Sequence, residues 1–121
     1  MSARRAFCAL AAGAALLLSL PAFAHAVVKQ SAPANGAVLD AAPAQVEITF
    51  NEKVEKLFSS VTLKDGAGKA VPTAKASVDP ANPAVLRLPL PALGSGKYVA
   101  HWTAVGHDGH RLGGDIRFSI K

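Results

Sequence analysis

The residues of this chain that are best suited to chemistry lie in one short stretch, Gly106-His107-Asp108-Gly109-His110. Because glycine adopts backbone angles that other residues avoid, Gly109 can let Asp108 and His110 turn toward one point. The stretch therefore offers nitrogen and oxygen ligands for a metal ion. A plain turn between two strands gives a similar pattern, since Asp-Gly is frequent in turns for its geometry alone. Both interpretations stay open on this evidence.

The first 24 residues have the pattern of an export signal. Arg4-Arg5 forms a basic start, an apolar run extends from Ala9 to Leu20, and Pro21 interrupts it before several small residues. At 12 residues, the run is shorter than the roughly 20 that a helix needs to cross a bilayer. We expect this signal to be removed on export and the remaining residues to form a single domain.

The cleavage position decides the role of His25. Two overlapping small-x-small cleavage patterns lie in residues 22–26, so the pattern alone does not choose between them. Cleavage after Ala24 makes His25 the first residue, whose α-amine and ring nitrogen can then bind one metal ion together. With Asp108 and His110, this gives three nitrogens and one oxygen, a set that suits tetragonal Cu(II). Cleavage two residues later destroys the set.

The composition limits the kind of metal and the kind of partner. Cys8 is the only cysteine and Met1 the only methionine, so the processed chain has no sulfur ligand. Nitrogen and oxygen ligands favour Cu(II) or Zn(II) over Cu(I). The net charge falls from +5 to +3 when the two signal arginines leave, and the remaining charges are mixed in sign along the chain. The sequence has no basic stripe typical of nucleic-acid binding.

Short alternating runs of apolar and polar residues begin at Val27 and are separated by Pro, Gly, Asn and Asp, which is typical of β-strands. The sequence predicts an all-β, immunoglobulin-like sandwich of about seven strands. Residues 64–68 predict a hairpin, and residues 93–98 resemble a tyrosine corner. Residues 32–44 and 79–84 are interpreted as loops. The clearest strand signals are at residues 46–50, 61–64, 86–88, 98–103 and 116–120.

The remaining polar and aromatic candidates have simpler interpretations. Trp102 is expected in the core, so its neighbour His101 faces the opposite, solvated side of the strand. Glu52 and Glu55 are interpreted as surface charges, because no convergent His or Ser accompanies them. His107 is expected to be exposed to solvent.

Several motifs along the sequence occur together in one known family. They are His25-Ala26, Ser31–Gly36, Ile48–Glu55, Tyr98–Trp102, Asp108–His110, Gly114 and Phe118. Through these motifs the chain resembles the CopC family of periplasmic copper-binding proteins. The resemblance implies that residues 1–24 are removed as the signal, that the chain is exported to the periplasm, and that residues 25–121 form the domain. The resemblance implies a cupredoxin-like Greek-key sandwich that begins at His25 and binds one Cu(II) per chain through His25, Asp108 and His110. Gly106 departs from the serine expected there in the family, and the missing methionines imply a protein for Cu(II) alone.

The resemblance further implies a copper homeostasis or resistance protein, not an enzyme, that holds and transfers Cu(II) by ligand exchange. A CopD-like inner-membrane copper transporter or a multicopper oxidase is the partner that the family implies. Two other functions stay open. A histidine-brace copper monooxygenase also uses an N-terminal histidine, although the Asp108 carboxylate leaves less room for oxygen at the metal. A metal-free sandwich that serves as an interaction module would use the Asp-Gly-His stretch only as a turn.

Overall fold

The structure, a computed structural model, describes residues 26–121. These residues form β-strands joined by turns and loops, and none of them is helical. No helix that could cross a membrane is found in this range. The strands are β1 (Val28–Ala32), β2 (Ala37–Leu39), β3 (Gln45–Phe50), β4 (Ser60–Asp65), β5 (Ala70–Val71), β6 (Ser77–Val78), β7 (Val85–Pro89), β8 (Gly96–Val105) and β9 (Arg111–Ile120).

The strands form two sheets that pack face to face. One sheet has the order β1-β3-β7-β6, and the other has the order β2-β9-β8-β4-β5. All neighbours pair antiparallel except β2 and β9, which are parallel. Phe50 of β3 meets Trp102 of β8 edge to face between the sheets, with ring centroids 5.3 Å apart. The predicted all-β sandwich is confirmed.

The alternation in the sequence matches the burial in the structure. In β3, Val46, Ile48 and Phe50 are buried, whereas Glu47 and Thr49 between them are partly exposed. Such strands bury every second side chain because successive side chains point to opposite faces of a sheet. The inward residues of β4, β7, β8 and β9 complete the same core.

Two local predictions from turn chemistry are confirmed. The Tyr98 hydroxyl donates a hydrogen bond to the Gly94 carbonyl at 2.9 Å, as a tyrosine corner requires. The hairpin between β4 and β5 closes through Asp65, whose carboxylate accepts hydrogen bonds from the backbone N–H groups of Ala67 and Lys69.

The prediction of a continuous loop at residues 32–44 is wrong. β2 lies inside this range and pairs with β9 in parallel register. Three residues are too few to show alternation, and they become a strand because two hydrogen bonds align them with β9. Gly36 N–H donates to the Arg117 carbonyl at 2.6 Å, and Arg117 N–H donates to Asn35 Oδ1 at 2.9 Å. With the two-residue strands β5 and β6, the described chain has nine strands instead of about seven.

Candidate metal centre

Three segments that are distant in sequence meet at one end of the sandwich. Asn51, just after β3, exchanges two hydrogen bonds with Val27: its N–H donates to the Val27 carbonyl at 3.0 Å, and its Oδ1 accepts from Val27 N–H at 2.7 Å. Val54 forms an antiparallel bridge with Gly106, which follows β8. The entry to β1, the β3–β4 loop and the 106–110 turn are therefore neighbours.

The 106–110 turn is closed by its own backbone. Gly106 N–H donates to the His110 carbonyl at 3.0 Å, and Gly109 N–H donates to the Gly106 carbonyl at 2.9 Å. Gly109 has a φ of +84°, in the left-handed region that glycine adopts without strain. Gly109 thus has the positive φ that the sequence predicts for the residue between Asp108 and His110.

The side chains of Asp108 and His110 converge. His110 Nδ1 lies 2.8 Å from Asp108 Oδ2, and His110 N–H donates to Asp108 Oδ1 at 3.1 Å. The hydrogen bond from the His110 ring, followed by that from the His110 backbone, lowers the pKa of the Asp108 carboxyl below its ordinary value. Asp108 is therefore an ionised, acceptor-only group at neutral pH.

The donor atoms of this pair suit a metal ion, since one is an imidazole nitrogen and the other a carboxylate oxygen. In the structure a hydrogen bond of 2.8 Å joins the two atoms, and an ion bound by both side chains would replace that hydrogen. Both side chains are partly exposed, so an ion can reach them from solvent. Residues 26–121 supply no cluster of three His, Cys, Asp or Glu side chains, and the predicted third ligand, His25, lies outside the described residues.

Glu52 corrects a prediction made from the sequence. It is not a simple surface charge: its Oε1 atom is buried and has no hydrogen-bond partner among the described residues. A buried carboxylate oxygen without a partner is costly, so this oxygen is ready to accept a hydrogen bond. Glu55, in contrast, is exposed as expected.

Gly106 brings Glu52 close to the Asp108–His110 pair. A Cβ atom built on Gly106 would lie 2.5 Å from Glu52 Oε1 and 2.8 Å from Asp108 Oδ1. Both carboxylates therefore approach the same point, which a side chain on residue 106 would fill. No local pattern in the sequence predicts this contact, because it depends on the long-range bridge between Val54 and Gly106.

The other candidates take their expected places. His107 is exposed, and its charge when protonated also lowers the pKa of Asp108. His101 is exposed on the outer face of β8, where its Nδ1 lies 2.7 Å from Asp115 Oδ1. Trp102 is buried in the core. His101 and Trp102 therefore take no part in the Asp108–His110 pair.

Comparison with protein families gives one matching domain. The model of the CopC domain matches residues 28–121. The chain is 33% identical over 114 residues to copper resistance protein C of Xanthomonas campestris pv. juglandis, covering 89% of each chain. It is 40% identical over 107 residues to the copper transport protein CutJ of Bacillus subtilis, where the match covers 86% of this chain. The matched segment is only 20% of CutJ.

Solved structures of copper proteins have a similar fold. The fold superimposes on the crystal structure of CopC from Methylosinus trichosporium OB3b with a TM-score of 0.76 and 29% identity, covering 80% of this chain and 94% of that one. It also matches PcoC, a methionine-rich copper resistance protein from Escherichia coli, with a TM-score of 0.65 and 34% identity. That match covers 81% of this chain and all of PcoC.

Proposed function

Because the chain belongs to the CopC domain family, we propose that it is a periplasmic copper carrier, which binds one Cu(II) and transfers it by ligand exchange. The observation that carries this proposal is the convergence of Asp108 and His110 at 2.8 Å beside the anchored start of β1. We propose His25, Asp108 and His110 as the metal ligands. We also propose that residues 1–24 are the export signal.

The position of Val27 supports the inclusion of His25. Val27 is fixed to Asn51 by two hydrogen bonds, and Asn51 is adjacent to Glu52. His25 is two residues before Val27, and an extended chain spans at most about 3.6 Å per residue. The two residues of chain between His25 and Val27 thus span at most about 7 Å, and Val27 is itself hydrogen-bonded to the segment that borders the candidate centre. Cleavage after Ala24 gives this residue a free α-amine to add to its ring nitrogen.

Glu52 has a supporting role in this proposal. Its buried Oε1 has the position and charge to accept a hydrogen bond from a group that enters the centre. A donor bound to the metal, such as the α-amine of His25, would satisfy this oxygen. Carboxylates that hold a ligand in this way fix its orientation and raise its basicity.

The ligand set favours Cu(II) and a carrier. The described residues contain no Cys or Met, so soft sulfur ligands that select Cu(I) are absent from residues 26–121. PcoC, in contrast, is described as methionine-rich. Asp108 adds a carboxylate to the nitrogen ligands, which disfavours a monooxygenase, because oxygen needs an open position. The exposed turn lets a second protein replace the ligands one at a time.

The partner in this proposal is a copper-handling protein. The family includes CutJ, a copper transport protein of which the matched segment is one fifth. A domain like this one thus occurs in one chain with a much longer remainder. The long remainder of CutJ supports a CopD-like inner-membrane copper transporter as the partner. A multicopper oxidase is the second possibility.

Copper affinity of ligand variants tests the proposal. The purified periplasmic protein is titrated with Cu(II) in competition with a coloured chelator, and the N-terminus of each variant is checked by mass. We expect one Cu(II) per chain in the wild type. His25→Ala, Asp108→Asn and His110→Ala should each weaken binding by more than about a hundredfold, and Glu52→Gln by about ten- to a hundredfold.

The control is His101→Ala, which removes an exposed imidazole from the outer face of β8. It should leave the Cu(II) affinity unchanged. Equal losses in His101→Ala and His110→Ala would mean that copper binds surface histidines without a defined site. A wild type that binds no copper would favour the metal-free interaction module. Copper-dependent oxidation of chitin or cellulose with ascorbate would favour the monooxygenase.

A further inference from the structure

A groove with a volume of about 610 Å³ lies beside the 106–110 turn. Its walls are formed by the end of the β3–β4 loop at residues 56–59, the first residues of β4, and the segment 73–76 that follows β5. Arg111, the first residue of β9, closes the end that is nearest to His110 in the chain. We call this feature the β4 groove.

The charged side chains that line the β4 groove within the described residues are all positive. Lys56, Lys75 and Arg111 line it, and none of them forms an ion pair with another described residue. No Asp or Glu is found among the described residues of its lining. Three cations without a neutralising carboxylate attract an anionic partner and orient it during approach.

Two large apolar side chains are exposed at the β4 groove. Leu57 is 81% exposed and Phe58 is 59% exposed, and both line the β4 groove. Adjacent exposed apolar side chains with a polar rim are typical of protein interaction sites. An aromatic side chain at such a site often supplies much of the binding energy.

The edge of β4 is open along this groove. β8 pairs with β4 from Ser60 to Asp65, but β5 pairs only with Leu63 and Lys64 on the other side. The first three residues of β4, Ser60, Val61 and Thr62, thus have no hydrogen-bonded strand neighbour on the β5 side within the described chain, and the segment 73–76 forms the facing wall of the groove. The backbone groups of such an unpaired edge can accept an extended peptide as an additional strand.

The β4 groove is connected directly to the proposed copper centre. Ser59 Oγ accepts a hydrogen bond from Val105 N–H at 3.2 Å, and Glu55 N–H donates to the Val105 carbonyl at 2.8 Å. Val105 immediately precedes the 106–110 turn, and Arg111 immediately follows it. A segment bound in the groove would therefore lie beside the 106–110 turn.

We propose that the β4 groove binds an extended, acidic segment of the protein that exchanges copper with this chain. The segment pairs with the edge of β4 at Ser60–Thr62, places carboxylates near Lys56, Lys75 and Arg111, and covers Leu57 and Phe58. This inference rests on the proposed copper function for its purpose, because it names the surface that brings a partner to the centre. Its physical basis, the combination of open edge, cations and apolar side chains, is independent of copper.

The test uses copper-free protein and a fluorescent pool of short peptides in which Asp or Glu alternates with Val, Leu, Ile or Phe. We expect saturable binding by fluorescence anisotropy, with amide shifts in NMR spectra at Ser60–Thr62. Lys75→Glu should weaken binding by at least about tenfold, as should the double variant Leu57→Ser and Phe58→Ser. Lys64→Glu is the matched control, because it reverses a charge on the same strand outside the β4 groove, and should reduce binding much less.

Three results would overturn the proposal. These are no saturable binding of the acidic pool, equal weakening by Lys64→Glu and Lys75→Glu, or equally tight binding of a pool with proline at the strand-pairing positions. Binding to vesicles of anionic phospholipid without binding to the peptides would likewise replace the protein partner by a membrane surface. His110→Ala should bind the peptides as the wild type does, so that a failure of the copper proposal is seen separately.

Discussion

At the residue scale, Gly106 leaves little room for a side chain beside the candidate centre. The buried Glu52 Oε1 and Asp108 Oδ1 both lie within 2.8 Å of the point where a Cβ would stand. Each oxygen is at the end of a flexible side chain, so both can move away from an added methyl group. The fold would then tolerate the change, while the arrangement of the two carboxylates would not.

We predict that Gly106→Ala separates copper binding from stability. The added Cβ should displace the Glu52 and Asp108 carboxylates and lower the Cu(II) affinity by about tenfold or more. The free energy of unfolding without copper should fall by roughly 1 kcal/mol or less. Chelator competition and urea denaturation measure the two quantities.

Gly94→Ala is the control for this variant. Its added Cβ meets no atom within 4 Å, so both quantities should stay near the wild-type values. An unchanged Cu(II) affinity in Gly106→Ala would show that the position of the two carboxylates does not matter for the metal.

At the residue scale, the sequence could predict what depends on close neighbours. Asp108 and His110 converge because a glycine separates them, and the order Asp-Gly-His can be read directly from the sequence. The role of Glu52 was not predictable in this way, because the bridge from Val54 to Gly106 joins segments about fifty residues apart. His25 stays a prediction, since it lies outside the described residues.

At the scale of the elements, alternation predicted the strands that carry the core. β3 and β9 each bury a period-two set of apolar residues, which a local pattern reveals. β5 and β6 have two residues each, too few for any period. They exist because β4 and β7 offer backbone groups to pair with, and such pairing partners are fixed only by the tertiary fold.

One charged group connects three elements of the four-stranded sheet. Arg87 of β7 donates from Nε to Glu47 of β3 at 2.9 Å, and its Nη1 donates to Asp79 after β6. The hydrogen bond from Arg87, followed by one from the backbone of Ala81, lowers the pKa of Asp79 below its ordinary value. The folded state thus releases the Asp79 proton at a lower pH than the unfolded state does.

We predict a pH-dependent loss of stability in Asp79→Asn. Because the pKa of Asp79 is lower in the folded state, its stabilising effect is complete above the ordinary Asp pKa of about 3.9 and disappears as pH falls through the folded value. The wild type should therefore melt above Asp79→Asn at pH 7, and the difference should shrink in acid. Thermal melting at a series of pH values measures this effect.

Asp40→Asn serves as the comparison, because the Asp40 side chain is 88% exposed and pairs only with the exposed Lys121 among the described residues. It should change the melting temperature less than Asp79→Asn does at pH 7. A difference between the wild type and Asp79→Asn that stayed constant into strong acid would exclude the Arg87 contact as its cause.

At the scale of the whole molecule, the proposed copper ligands among the described residues lie at one end of the sandwich. The start of β1, the β3–β4 loop and the 106–110 turn are held together by backbone hydrogen bonds and one strand bridge. The proposed ligands lie at the surface of this end, and the β4 groove opens beside them. A carrier needs this combination, because the cargo must be held firmly and still be accessible to a partner.

The most direct test of the account is the native intact mass of the chain purified from the periplasm, recorded with and without one equivalent of Cu(II). The measurement reads the N-terminus and the copper content of the same molecule. We expect a chain that begins at His25 and retains one copper ion. A homogeneous chain that begins at Val27 and retains no copper would contradict it, because the proposed amine and imidazole ligands of His25 would both be gone.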